Sequence, residues 1–123
     1  MIPYFYYSRN TKARTPIDDV ARFADMFAAM GTEPRLRIIR LLLSAHPDGM
    51  VVGEIQTELG IPASTLSHHL EKLKNEDLVT VQRESTFLRY KVNANVLQEL
   101  LTFLYSECCT RSKVVKINRL GGL

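Results

Sequence analysis

Apolar residues recur along this chain at helical spacing over most of its length, and with a period of two over one short stretch after residue 78. In "TPIDDV", Thr15 is placed to cap a helix, Pro16 to take its first position, and Asp18 and Asp19 to fill its first turn. Val20, Phe23, Ala24 and Phe27 then form one apolar face, and Gly31 ends the helix. Thr32, Glu33 and Pro34 open a second helix, with Leu36, Ile39, Leu42 and Leu43 as its stripe and Pro47 and Gly49 closing it. A short helix over 53–59 stops at Gly60, and the tight turn "GIP" leads into "ASTLSHHLEKLKNEDL", whose Leu66, Leu70 and Leu73 share one face.

The period then changes. Val79 and Val81, followed by Leu88, Tyr90 and Val92, alternate with polar residues and predict two strands joined around Glu84, Ser85 and Thr86. A last helix begins near Asn95 and carries Val96, Leu97, Leu100, Leu101 and Leu104. The order is helix, helix, helix–turn–helix, hairpin, helix. That order predicts a mainly α chain with a β-hairpin wing, a winged helix–turn–helix, spanning 15–109. Residues 1–14, with the aromatic cluster Tyr4, Phe5, Tyr6 and Tyr7, form an N-terminal arm, and 110–123 a basic C-terminal tail.

A chain of 123 residues can bury a core of its own, and 46% apolar with 24% charged residues is the balance of a soluble domain. It holds no apolar run of the ~18 residues that a membrane span needs. The start "MIPYFYYSRNTK" lacks the pattern of a secretory signal, so a cytoplasmic location with reduced thiols is the expectation. The net charge of +3 is uneven: the two ends, 1–14 and 110–123, carry +7 between them, which leaves −4 on residues 15–109. Basicity therefore belongs to the ends and does not by itself argue for nucleic-acid binding by the core.

Residue placement is what points to DNA. The second helix of a helix–turn–helix enters the major groove with its N-terminal residues against base edges. With the leucines turned inward, Ser64, Thr65, His68 and Lys72 occupy the opposite face, with Ser67 at its boundary. His69 lies beside the leucine face and reads as a packed structural histidine. Arg83, Arg89 and Lys91 of the hairpin are placed to reach phosphates beside the groove. Small polar residues also cap helices, and charged hairpins also serve as solvated edges. The reading helix followed directly by a basic hairpin is what favours DNA.

The stretches "FAAMGTEPRLRIIRLL" and "STLSHHLEKLKNEDLV" resemble the ArsR family of small metal- and metalloid-responsive repressors, over roughly residues 20–105. The resemblance implies a homodimer whose first and last helices meet across the interface, with two reading helices on an inverted repeat of operator DNA. Val20, Phe23, Phe27, Leu97, Leu100, Leu101 and Leu104 fit the interface, and ordinary core within one chain is the alternative for the same stripes. The wing tip departs from many relatives, which carry Gly and Arg where this chain has Glu84, Ser85 and Thr86.

Family members sense at different places. The position of a C-x-C site is occupied here by "VVGEI", with Val51 and Gly53 where thiols would be, and no histidine follows His69 to supply a zinc site on the last helix. What remains is the adjacent pair Cys108 and Cys109, the two cysteines of the chain. A group of ArsR relatives carries such a pair at the end of the last helix and senses trivalent arsenic, typically with a third cysteine soon after; none follows here up to Leu123. Soft trivalent arsenic bonds to thiolates. Arsenite has three exchangeable positions and methylarsenite two, so a two-thiol site matches the organic form; arsenite, or antimonite, needs a hydroxide or a small thiol to complete its shell.

The expected effector is thus a trivalent arsenical at Cys108 and Cys109, with no cofactor required. A redox-responsive repressor, or a winged-helix regulator with no effector, remains open beside it. An enzyme with Cys108 as nucleophile and His68 or His69 as base lacks a third orienting group and is not expected.

Overall fold

The structure, a computed structural model, describes residues 16–112. The arm 1–14 with its aromatic cluster, the Thr15 cap and the tail from 113 onward lie outside the described residues. Within them the order is α1 (Pro16–Met30), α2 (Glu33–Ser44), β1 (Met50–Val51), α3 (Val52–Leu59), α4 (Ala63–Asn75), β2 (Val79–Glu84), β3 (Phe87–Val92) and α5 (Ala94–Tyr105). This is the mainly helical, winged helix–turn–helix architecture that the hydrophobic periods imply.

Local chemistry sets the boundaries. Thr32 caps α2 by accepting the Arg35 N–H at 3.4 Å. Gly60 closes α3 in the left-handed conformation, φ 65°, where a side chain would be strained. Helix α4 is shorter than its apolar pattern suggests. Leu78 continues that pattern but lies beyond the helix, because Asp77 turns left-handed at φ 62° and the Leu78 N–H returns to the Leu73 carbonyl at 3.0 Å. Leu78 still reaches the core, so its apolar character reports burial and not helix.

The sheet has three strands and not two. Strand β1 pairs antiparallel with β3, Met50 opposite Tyr90 and Val51 opposite Arg89, giving the order β1-β3-β2. Two residues are too few to display an alternation, which is why the sequence pattern missed it. Gly49 admits this strand: at φ 75°, any Cβ there would collide with the Tyr90 carbonyl of β3. In the hairpin itself Val79 faces Val92, Val81 faces Tyr90 and Glu84 faces Phe87.

One core joins all five helices. Phe23 and Met26 of α1, Ile38, Ile39 and Leu42 of α2, Ile55 of α3, the three leucines of α4, and Val96 and Leu100 of α5 are all buried. Val79 and Val92 seal the base of the wing against them. Asn93 links the two ends of this arrangement. Its side chain caps α5 by accepting the Val96 N–H at 3.3 Å and donates to the Asp77 carbonyl at 3.0 Å, just past the end of α4. No helix among the described residues is long and apolar enough to cross a membrane.

Candidate functional site

Leu66, Leu70 and Leu73 face inward, which leaves Ser64, Thr65, Ser67, His68 and Lys72 exposed on α4. The N-terminus of α4 is open: Pro62 precedes it without a side-chain cap, and its first turn holds no acid. Orphan backbone N–H groups and the positive end of the helix dipole are therefore available to a phosphate beside those hydroxyls.

His69 is half-buried, and its Nδ1 lies 3.4 Å from the guanidinium of Arg35, which also donates to the Ala29 carbonyl at the end of α1. Arg35 thus ties α1, α2 and α4 together. The periodic pattern did not flag it, since its partner stands 34 positions away. Burial, and after it the positive charges of Arg35 and His68, hold the His69 imidazole below its ordinary value of 6.5.

The hairpin separates its three cations. Arg83 is exposed. Arg89 is not directed outward: its Nε binds the Glu84 carboxylate at 2.9 Å, and its Nη1 lies 3.4 Å from the Gly49 carbonyl. Lys91 lines a cleft of about 620 Å³ together with His46, Asp77 and Asn93, around the base of the wing. Of the three cations expected at the DNA, Arg83 has the exposed placement near the hairpin tip; Arg89 is engaged within the protein. The cause is the diagonal pairing of Arg89 with Glu84, visible once the register is known.

At the other end, α1 and α5 pack through Phe23 and Phe103, ring centroids 4.6 Å apart, with the guanidinium of Arg22 4.4 Å above the Phe23 ring and 3.7 Å from Glu99. Phe23 and Leu100, expected at an interface between copies, are core residues within the chain, and Leu97 is half-buried against that core. Val20 (55% exposed), Leu101 (59%) and Leu104 (59%) are left on the surface with Phe27 and Tyr105. Among the described residues, these are the large apolar side chains of α1 and α5 left exposed.

Cys108 and Cys109 come after α5 and not within it, since Ser106 ends the helix. The Cys108 N–H returns to the Tyr105 carbonyl at 2.9 Å, and Cys109 turns left-handed, φ 64°. This turn brings the two sulfurs together, 2.7 Å apart, as thiols and not as a disulfide. Tyr105 stands beside them. Its hydroxyl titrates above the ordinary tyrosine value, through desolvation first, then its hydrogen bond to Cys108 and the electrostatic influence of the two cysteines. Among the described residues, no group of three or more His, Cys, Asp and Glu side chains is arranged to hold a metal ion.

A helix–turn–helix domain family matches residues 30–82. The chain is 36% identical over 78 residues to the uncharacterized HTH-type transcriptional regulator MJ1325 of Methanocaldococcus jannaschii, spanning 63% of this chain and 85% of that protein. It is 28% identical over 89 residues to the transcriptional activator HlyU of Vibrio cholerae, 72% of this chain and 80% of that one. The solved structure of HlyU superposes with a TM-score of 0.58 at 30% identity, covering 72% of this chain and 97% of the other. The fold is shared with a homodimeric winged helix–turn–helix DNA-binding domain from Mycobacterium bovis, a possible ArsR-family regulator, with a TM-score of 0.60 at 22% identity over 87% of this chain and 99% of that one. The matched relatives are transcriptional regulators and not enzymes.

Proposed function

The chain belongs to the helix–turn–helix transcriptional regulators, and from that premise we propose that it is an ArsR-type homodimeric repressor that leaves its operator when a trivalent arsenical binds Cys108 and Cys109. The observation that carries the reading is the convergence of the two sulfurs, 2.7 Å apart, in the turn after α5. Each arsenic–sulfur bond replaces an arsenic–hydroxyl bond, and the thiol proton leaves with the hydroxide as water. Two such exchanges saturate methylarsenite, while arsenite keeps one hydroxyl or takes a small thiol.

Dimerisation through the exposed apolar residues of α1 and α5 sets two α4 helices on an inverted repeat, with half-sites about one helical turn apart. Ser64, Thr65, Ser67, His68 and Lys72 then meet the major groove, and Arg83 the adjoining phosphates. The two sites are physically connected. Helix α5 runs from the Asn93 clamp at the end of α4 to the turn that holds the thiols. A tilt of α5 on ligand binding therefore moves α4 and the half-site spacing. A coupling of ~1–3 kcal/mol lowers DNA affinity about 5–150-fold.

The test begins with a duplex selected by the wild-type protein from a randomised library. That complex is titrated with arsenite, methylarsenite, antimonite, zinc and peroxide while DNA release is followed by fluorescence anisotropy. Trivalent arsenicals release DNA from the wild type and not from the Cys108→Ser, Cys109→Ser double variant. Equal release from both proteins sinks the proposal. The same convergence of sulfurs favours a second reading, in which peroxide takes two electrons from the pair, forms the S–S bond and leaves as two waters; release by peroxide alone would select it.

A further inference from the structure

The cleft at the base of the wing has a volume of about 620 Å³, within the range of small-molecule sites. Its lining includes no residue of α4 and none of the thiol turn. Three separate segments supply its polar side chains: His46 follows α2, Thr80 and Lys91 stand on the wing, and Asn95 lies in the first turn of α5. Thr80 and Lys91 are partners across β2 and β3, so their side chains stand side by side on one face of the hairpin. Asn93 completes this wall, and its bonds to the Val96 N–H and the Asp77 carbonyl hold it in place.

The charge of this cleft is not balanced by the chain. Among the described residues neither Lys91 nor His46 forms an ion pair. Residues 1–15 and 113–123 contain no Asp or Glu that could supply one. Asp77 also lines the cleft, and it already takes part in an interaction within the chain. A lone surface lysine is satisfied by water. Here an ammonium, an imidazole, a hydroxyl and an amide converge on one concavity, and each of them can donate a hydrogen bond. Their common complement is a group with several anionic oxygens.

We infer that this cleft binds a small organic anion, a carboxylate or a phosphate monoester, held at its charged oxygens by Lys91 and His46 and at its other polar groups by Thr80 and Asn95. The inference goes beyond the arsenical reading and does not rest on it, since the cysteines take no part. It also gives Lys91 a role other than the DNA phosphate contact that its place on the hairpin suggests. The cleft lies on the joint that Asn93 closes between the end of α4 and the start of α5. An anion bound there bridges the wing to α5 and stabilises that joint by mass action.

The experiment uses the full chain, with succinate and inorganic phosphate as probes and sodium chloride at equal ionic strength as the reference. At least one probe moves the amide NMR signals of Thr80, Lys91 and Asn95 along a saturable curve and raises the melting temperature. The probe that does so tells a carboxylate ligand from a phosphate one. Lys91→Met weakens this binding about tenfold or more, the effect of losing one charge-assisted hydrogen bond. His46→Gln weakens it less, because glutamine keeps a donor, and without the probe both variants melt as the wild type does. Shifts no larger than those from chloride, or shifts that Lys91→Met leaves in place, overturn the inference. So does a fall of about 0.9 in the salt slope of DNA binding for Lys91→Met, which would make Lys91 a phosphate contact on the duplex.

Discussion

The two ends of this molecule treat their apolar residues differently. In α4 the leucines are buried and the outward face is small and polar, so this end is finished within one chain. In α5 only part of an equally regular stripe is used: Val96 and Leu100 are buried, while Leu101 and Leu104 are exposed. The apolar residues that the described chain leaves exposed on α5 are the ones the proposed dimer would cover. A helical period thus identifies an apolar face and not the partner that covers it.

The largest effect is expected where the unfinished end is disrupted. Leu101→Glu with Leu104→Glu gives a monomer by sedimentation that keeps its helical circular dichroism and loses DNA affinity by about a hundredfold or more, since one half-site contact is lost with the dimer. A dimer that survives this change would place the interface elsewhere. Next, the same truncation made at each end contrasts them. Leu70→Ala, in the core, lowers folding stability by about 2–5 kcal/mol in denaturant titrations. Leu104→Ala changes the folding stability of the dissociated chain by less than about 0.5 kcal/mol, as an exposed site should, and weakens self-association instead.

The connection between the ends is addressed by Asn93→Ala. Loss of the cap costs about 0.5–2 kcal/mol of stability, and loss of the bond to the Asp77 carbonyl reduces the change in DNA affinity on arsenical binding. Undiminished coupling would remove Asn93 from the path. On the wing, Arg83→Ala lowers the salt slope of DNA binding by about one phosphate's worth, close to 0.9. Arg89→Ala lowers it by much less, because its charge is already committed to Glu84.

The smallest effect is in pH dependence. His69 has a depressed pKa in the folded state, so below its ordinary value of 6.5 the unfolded chain binds more protons and stability falls with pH. Above that value this contribution to stability is fully present. Between pH 7 and 5 the melting temperature of the wild type drops more steeply than that of His69→Gln; parallel curves would contradict the assignment.

Most of the fold was legible because long amphipathic helices and an alternating hairpin write their periods into the sequence. Leu66, Leu70 and Leu73 showed the buried face of α4, and by subtraction its exposed one. What was not legible depends on pairing across distance. Arg89 looked like a second free cation until the register brought it to Glu84. Arg35 gave no local sign of meeting His69. Strand β1 was too short to alternate, and Phe23 and Leu100 could not be told from interface residues by spacing alone. The thiol pair was visible as composition, but its convergence follows from the left-handed turn at Cys109, a conformation that no neighbouring glycine announces.

Under the proposed function, the thiol end and the DNA-reading end share one free energy. Linkage makes this measurable from either side, because a ligand that weakens DNA binding by some factor must itself be bound more weakly by that factor on DNA. The direct measurement is the affinity of methylarsenite for the free dimer and for the dimer saturated with its selected duplex, read by competition with a dithiol chelator. If the two ends are coupled, DNA weakens methylarsenite binding about 5–150-fold, by the same ratio in which methylarsenite weakens DNA binding. Equal affinities in the two states would contradict it.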